Sequence, residues 1–210
     1  MFRHRTDAGQ QLARALSQYR DKNPLVLAIP KGGIAVAREV ARFLEAPMSV
    51  VITRKLPFPD NPESGFGAIA EDGSVFLHPM AEFRVPRRTI ESIIREQERE
   101  IERRVRVLRK GTPLPGIEGR TVILVDDGIA MGSTMRASIK LCRKLRAQAV
   151  IVAAPVSGRE TAEDMRKFAD GVVILEKPVS FRAVAQVYQH WYDVSDQEAV
   201  ELLEKHEQDV

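Results

Sequence analysis

Five short apolar runs constrain this chain more than any other feature of its sequence. They are PLVLAIP (24–30), SVVIT (49–53), TVILVDD (121–127), AVIVAAP (149–155) and GVVILE (171–176). Each is rich in β-branched residues and shows no alternation with polar ones. A strand with one wet face alternates; a strand buried on both faces reads as a continuous run, as in a parallel sheet covered by helices. The intervening stretches supply such helices. Residues 34–45 and 133–146 carry apolar residues three and four apart, and 159–168 has the look of a shorter helix. Alternation of this kind predicts an α/β fold with a doubly wound, mostly parallel sheet. One domain over residues 1–210 is expected, with its core at about 24–176.

Two stretches break the alternation and read as an insertion. Residues 56–66, LPFPDNPESGF, contain three prolines and a glycine and are expected to form an exposed flexible loop. FGAIAEDGSVFLH (66–78) follows as a hairpin with Asp72-Gly73 at its turn. Residues 86–110 then predict one long helix. Ile90, Ile94, Ile101, Val105 and Leu108 form its apolar stripe, and Glu91/Arg95, Glu100/Arg104 and Glu102/Arg106 have i,i+4 spacing. Nine Lys/Arg against five Glu give that helix a local net charge of +4. The plain reading is a solvated face, with a polyanion or a protein partner as the other use.

Bulk composition narrows the classes. With 44% hydrophobic and 29% charged residues, the chain is of ordinary globular type. No apolar run approaches the roughly 18 residues that span a bilayer, and MFRHRTDAGQQLARAL lacks the apolar core of a secretory signal. The one cysteine, Cys142, sits in a helical pattern and reads as a small core residue, so a cytoplasmic setting is expected. A net charge of +3 is too small to argue for nucleic acid and suits a small polyanion equally well. Aromatics at 6% offer no stacking platform for single strands.

Two strand–turn–helix units have the makings of an anion site. In LVLAIPKGGIAVA, Pro30-Lys31-Gly32-Gly33 precedes a helix: the glycines permit close backbone approach, the helix start offers unpaired N–H groups, and Lys31 adds a charge. In VILVDDGIAMGST (122–134), Gly132, Ser133 and Thr134 lead into a second helix, with Asp126 and Asp127 as acceptors suited to sugar hydroxyls. Each alone would serve as a plain tight turn; together they favour a ligand with phosphates at two ends. Other motifs fail. There is no G-x-x-x-x-G-K-[ST] and no G-x-S-x-G, and GFGAIA (65–70) precedes Glu-Asp-Gly, not a helix. His4, His78, His190 and His206 show no metal-ligand spacing.

At VILVDDGIAMGST the chain resembles the type I phosphoribosyltransferases: an apolar strand, two acidic residues, two more residues, then a threonine- and glycine-bearing turn. FRHRTDAG, PKGG, TRKLPFPDNPE, VDDGIAMGSTM and the late FRAV…Y…VSD bring it nearest to bacterial members of unsettled substrate. The resemblance implies that Asp126 and Asp127 hold the ribose 2- and 3-hydroxyls of phosphoribosyl pyrophosphate (PRPP). Ala130, Met131, Gly132, Ser133 and Thr134 would hold its 5-phosphate, with Gly128 in the same PRPP-binding run. Lys31, Gly32 and Gly33 match the family's pyrophosphate loop, which often contains a non-proline cis peptide. Arg54 and Lys55 match a basic pair leading into a mobile flap, here 56–66. Lys31, Arg54, Lys55, Asp126 and Asp127 would then be the catalytic set, with Mg²⁺ entering mainly on the pyrophosphate.

Two departures stand out. Met131 replaces a usual threonine of the turn. Ala130 replaces the aspartate of the hypoxanthine/guanine enzymes, which leaves adenine-like, pyrimidine-like or unfamiliar acceptors open. The resemblance further implies a hood over the acceptor, expected at about 177–210 as a helical segment, with Phe181 and Tyr188 as acceptor contacts; Trp191 reads as packing. A nucleobase-like acceptor, no membrane, no nucleic acid, and a homodimer through the long helix complete the expectation. The alternatives are a non-catalytic PRPP sensor that binds nucleic acid or a protein, and a plain α/β binding domain.

Overall fold

In a computed structural model, which describes residues 1–209 with the side chains of Glu82 and 207–209 left aside, the chain begins with helix α1 (Arg5–Ala15). His4 caps it, its Nδ1 accepting from the Asp7 amide at 3.2 Å. Strand β1 (Pro24–Ala28), helix α2 (Gly33–Leu44) and strand β2 (Met48–Val50) come next. The insertion holds β3 (Thr53–Phe58), β4 (Asn61–Ala70), β5 (Val75–Leu77), the short α3 (Ala81–Arg84) and the long α4 (Arg87–Arg109). The chain then returns to β6 (Thr121–Val125), α5 (Ser133–Lys144), β7 (Ala149–Val156), α6 (Arg159–Met165) and β8 (Gly171–Glu176). A 3₁₀ turn at Val184–Val187 precedes α7 (Asp196–Asp209).

The five apolar runs are the five strands of one parallel sheet, ordered β2-β1-β6-β7-β8. Their lack of alternation has a direct cause. Val26, Ala28, Ile123, Val125, Ile151 and Ala153 pack toward α1, α2, α4 and α7, whereas Leu25, Leu27, Val122, Leu124, Val150 and Val152 pack toward α5 and α6. Both faces are dry, so successive residues are apolar whichever way they point. Cys142 lies fully buried in the second layer, and burial pushes its thiol up to about 12. Among the described residues, no helix is long and apolar enough to cross a membrane.

The strand order reverses between β1 and β6, which pair from Pro24↔Thr121 to Ala28↔Val125. Each strand's sequence neighbour lies on the opposite side, β2 beyond β1 and β7 beyond β6. A crevice opens at the carboxyl ends of two strands related in this way. Lys31-Gly32-Gly33 and Asp126–Thr134 both leave the sheet there.

The insertion corrects one expectation. Residues 56–66 are not a loop. They are the distal half of an antiparallel hairpin, β3 with β4, closed around Pro59-Asp60. Its three prolines sit where a missing N–H costs least: Pro57 at a register irregularity, and Pro59 and Pro62 at the exposed tip. Phe58 and Phe66 meet edge to face at 5.5 Å and close the base. The β4–β5 hairpin turns at Asp72-Gly73 as expected, with Gly73 at φ +81° and the Ser74 amide donating to Asp72 Oδ1. In α4, Ile90, Ile101 and Leu108 are buried, Glu100 pairs with Arg104 and Arg103, and Glu91 pairs with Arg87 behind it.

The segment expected as a hood is helical only in part. Residues 178–192 run across the carboxyl edge mostly without regular structure, held to the N-terminus by Phe2 N→Val187 O at 2.7 Å and Gln189 N→Phe2 O at 2.8 Å. Helix α7 packs on α2 and α4 instead.

Candidate active site at the sheet switch point

The two turns of the crevice touch. A Cβ on Gly32 would lie 1.8 Å from Asp127 Oδ2, and one on Gly33 would lie 2.8 Å from the Val125 carbonyl oxygen. A larger residue at either position would force the Asp127 carboxylate or the β6 backbone to shift. The peptide bond between Pro30 and Lys31 is cis.

Asp126 and Asp127 diverge. Asp126 lines a cavity of about 240 Å³ with Gly128, Ala130, Met131, Gly132, Ser133 and Thr134. Its Oδ1 accepts from the Asp127 amide at 2.8 Å. Burial, then the neighbouring Asp127 carboxylate, push the Asp126 carboxyl well above the usual range. Asp127 faces away from that cavity. Its Oδ2 accepts from Arg5 Nε at 2.7 Å, and the guanidinium also donates to the Tyr192 carbonyl at 2.9 Å while lying 4.1 Å from the Trp191 ring centre. The Tyr188 hydroxyl donates to the Asp127 carbonyl at 2.7 Å, and burial pushes that phenol up.

The phosphate-like turn is braced from outside. Gly132 takes φ +74°, the left-handed region that favours glycine, and opens α5. Arg136 donates to the Met131 carbonyl at 2.7 Å and is ion-paired with Asp164; Thr161 Oγ1 donates to the Ala130 carbonyl at 3.0 Å. His78 Nε2 lies 2.9 Å from Ser133 Oγ. The Met131 side chain is exposed, and Met131 also lines the cavity.

The basic pair is split by strand alternation. Lys55 points to the cavity, where it meets Gly65, and its Nζ donates to the Glu63 carbonyl at 2.6 Å. A Cβ on Gly65 would come within 2.5 Å of Lys55 Cγ, so the glycine makes room for the lysine stem. Arg54 points to α4 and donates to Gln97 Oε1 at 3.1 Å; burial and the Arg104 charge lower its pKa. Lys31 reaches Asp196 Oδ1 at 3.3 Å, at the start of α7. Phe181 is half-buried against the Phe2, Val156 and Tyr188 cluster, and Tyr188 itself is buried. Trp191 packs between Arg5 and Tyr188, as its plain reading expects.

Arg5 and His78 are the residues that motif reading passed over. Arg5 lies in FRHRTDAG, but its partner is 122 positions away and no spacing announces it. In the sequence His78 shows no metal-ligand spacing and carries no other signal. Among the described residues, no group of three or more His, Cys, Asp or Glu could hold a metal ion.

Sheet order, paired turns and overhanging hairpin together define an α/β domain of type I phosphoribosyltransferase-like fold. A family model described as phosphoribosyl transferase domain matches residues 4–189, and the chain belongs to that family. Proteins of two Mycobacterium tuberculosis strains, MT0597 and Rv0571c, provisionally named phosphoribosyl transferases, are 37% identical to it over 211 residues. These alignments cover 100% of this chain and 48% of each relative, so the chain spans about half the length of the curated relatives it matches. The crystal structure of TT1426 from Thermus thermophilus superposes with a TM-score of 0.83 at 36% identity, covering 98% of both chains.

Proposed function

We propose that this domain transfers the 5-phosphoribosyl group of PRPP to a nitrogenous acceptor, a nucleobase by preference, and releases pyrophosphate. The observation that carries this reading is one cavity at the switch point into which Asp126, the 128–134 turn and Lys55 all face. The N–H groups opening α5, with the Ser133 and Thr134 hydroxyls, receive the 5-phosphate. Asp126 accepts from ribose hydroxyls. The amides of Gly32 and Gly33, residues with no side chains of their own, receive the pyrophosphate.

In the transfer, the bond from ribose C1 to the pyrophosphate oxygen breaks and its electron pair leaves on that oxygen. The acceptor nitrogen's lone pair forms the new bond to C1, and the acceptor's proton passes to the departing pyrophosphate or to water. Positive charge develops on the sugar and negative charge on the leaving group. Lys55 meets the latter from the hairpin, which at the same time shields the cavity from water. Mg²⁺ carried in on the pyrophosphate would offset further charge, and the oxygen donors of Asp126 suit such a hard cation, which needs few protein ligands. Phe181, half-buried near the carboxyl edge, is the ring available to lie against a flat acceptor; Tyr188 acts from behind by holding Asp127.

The test is a pyrophosphate-release screen of PRPP with Mg²⁺ against a panel of nucleobases and amines, alongside calorimetry of PRPP. Binding that Asp126→Asn weakens, with release for at least one acceptor, supports the reading. No PRPP binding by the folded wild-type chain would overturn it.

A further inference from the structure

One contact to the 130–134 turn comes from the insertion. β5 ends at Leu77, and the next residue is pinned by its own backbone, His78 N donating to the Phe66 carbonyl at 2.9 Å. The imidazole stands edge to face against Phe76, centroids 5.2 Å apart. This fixes Nε2 at 2.9 Å from Ser133 Oγ. Ser133 is only 8% exposed, begins the 12-residue α5 and lines the cavity, whereas His78 stands behind it.

A serine hydroxyl has one proton and two lone pairs. If Ser133 spent that proton on His78, its oxygen would present lone pairs to an arriving phosphate, which is also acceptor-rich. If the imidazole donates instead, the serine proton is free to point into the cavity. We propose that His78 is a positioning residue for phosphate capture: its Nε2–H donates to Ser133 Oγ and so directs the serine hydroxyl proton onto a bound phosphate oxygen. The inference rests on the phosphoribosyl reading of the turn. The surroundings agree with it. Burial and the Arg136 charge, one turn along α5, hold the imidazole below its ordinary pKa, so near neutrality it carries a single N–H whose placement matters.

The test uses the 210-residue chain and two probes, ribose 5-phosphate and inorganic pyrophosphate. Nitrogen-15 NMR of the wild-type protein with ribose 5-phosphate should find the His78 proton on Nε2; a proton on Nδ1 alone overturns the proposal. By calorimetry, His78→Leu should weaken ribose 5-phosphate about tenfold, as expected for one charge-assisted hydrogen bond, and leave pyrophosphate unchanged. His78→Gln, which can offer an amide N–H from a similar place, should recover most of the loss. In a Ser133→Ala background, His78→Leu should add nothing further. Equal losses for both probes, or no loss at all, would mark His78 as merely structural. Should the folded wild-type chain bind neither ribose 5-phosphate nor PRPP, the phosphoribosyl reading itself falls, an outcome distinct from a silent His78 variant.

Discussion

Arg5 Nε and Asp127 Oδ2 lie 2.7 Å apart, joining the first helix to the turn after the central strand. Both side chains are buried. The guanidinium offsets the charge of Asp127 where it would otherwise face Asp126, and its stack on Trp191 ties the C-terminal segment to the same point. The N-terminus, the acidic pair and the stretch around 188–192 are therefore one mechanical unit.

Arg5→Ala should be among the most damaging substitutions in the protein. It strands a buried carboxylate next to another, and breaking such a pair from one side costs about 3–5 kcal/mol. Urea unfolding of Arg5→Ala, Asp127→Asn and the double variant checks this. The double variant should lose clearly less than the sum of the singles; additivity would mean that the contact carries no coupling.

Gly32→Ala should damage the site out of proportion to its size. The added methyl would fall 1.8 Å from Asp127 Oδ2, so the carboxylate or the turn must move. The expected outcome is a PRPP affinity reduced by an order of magnitude or more, from lost alignment of the turn amides. Gly116→Ala, where nothing lies within 4 Å of the new atom, is the control and should bind PRPP like wild type.

Lys55→Ala and Arg54→Ala should differ although the residues are adjacent. Lys55 faces the cavity, and losing its charge there should lower turnover about a hundredfold. Arg54 faces Gln97 on α4, so its removal should change turnover by less than about threefold and appear instead as a modest loss of stability. Steady-state pyrophosphate release with both variants decides the matter.

Glu100 supplies a pH-dependent prediction far from the chemistry. Hydrogen bonds from Arg103 and Arg104 lower its carboxyl to about 2. Because the folded value lies below the unfolded one, the pairing contributes stability above about pH 4.5 and loses it as pH falls toward 2. The group is partly exposed, so the whole contribution is at most about 1 kcal/mol. Glu100→Gln should melt about 1–3 °C below wild type at pH 7, and the gap should close on acidification to about pH 2. A gap that persists at the lowest pH would point to packing rather than charge.

Much of the fold was legible in the chain because its signals are local. The unalternating runs at 24–30 and 121–127 can be satisfied only by strands buried on both faces, and their order with the intervening helices predicts the doubly wound sheet. The hairpin at 56–66 was not legible. Prolines that punctuate a loop are equally at home at the tip and the bulge of an exposed ribbon, and only pairing with β4 distinguishes the two. The split of Arg54 from Lys55 follows from that same strand, since neighbours on a strand face opposite ways.

What the sequence determined by itself was the set of parts: the parallel sheet, two glycine turns, the acidic pair and a phosphate-like helix start, each written in residues close together. What tertiary structure alone decided was which atoms meet. Asp126 and Asp127 are equivalent in the string, yet one faces the cavity and the other a guanidinium 122 residues earlier. Spacing along a chain constrains neighbours within a turn or strand. It carries no information about partners brought together by closing a sheet, and Arg5 and His78 reach the site by that route.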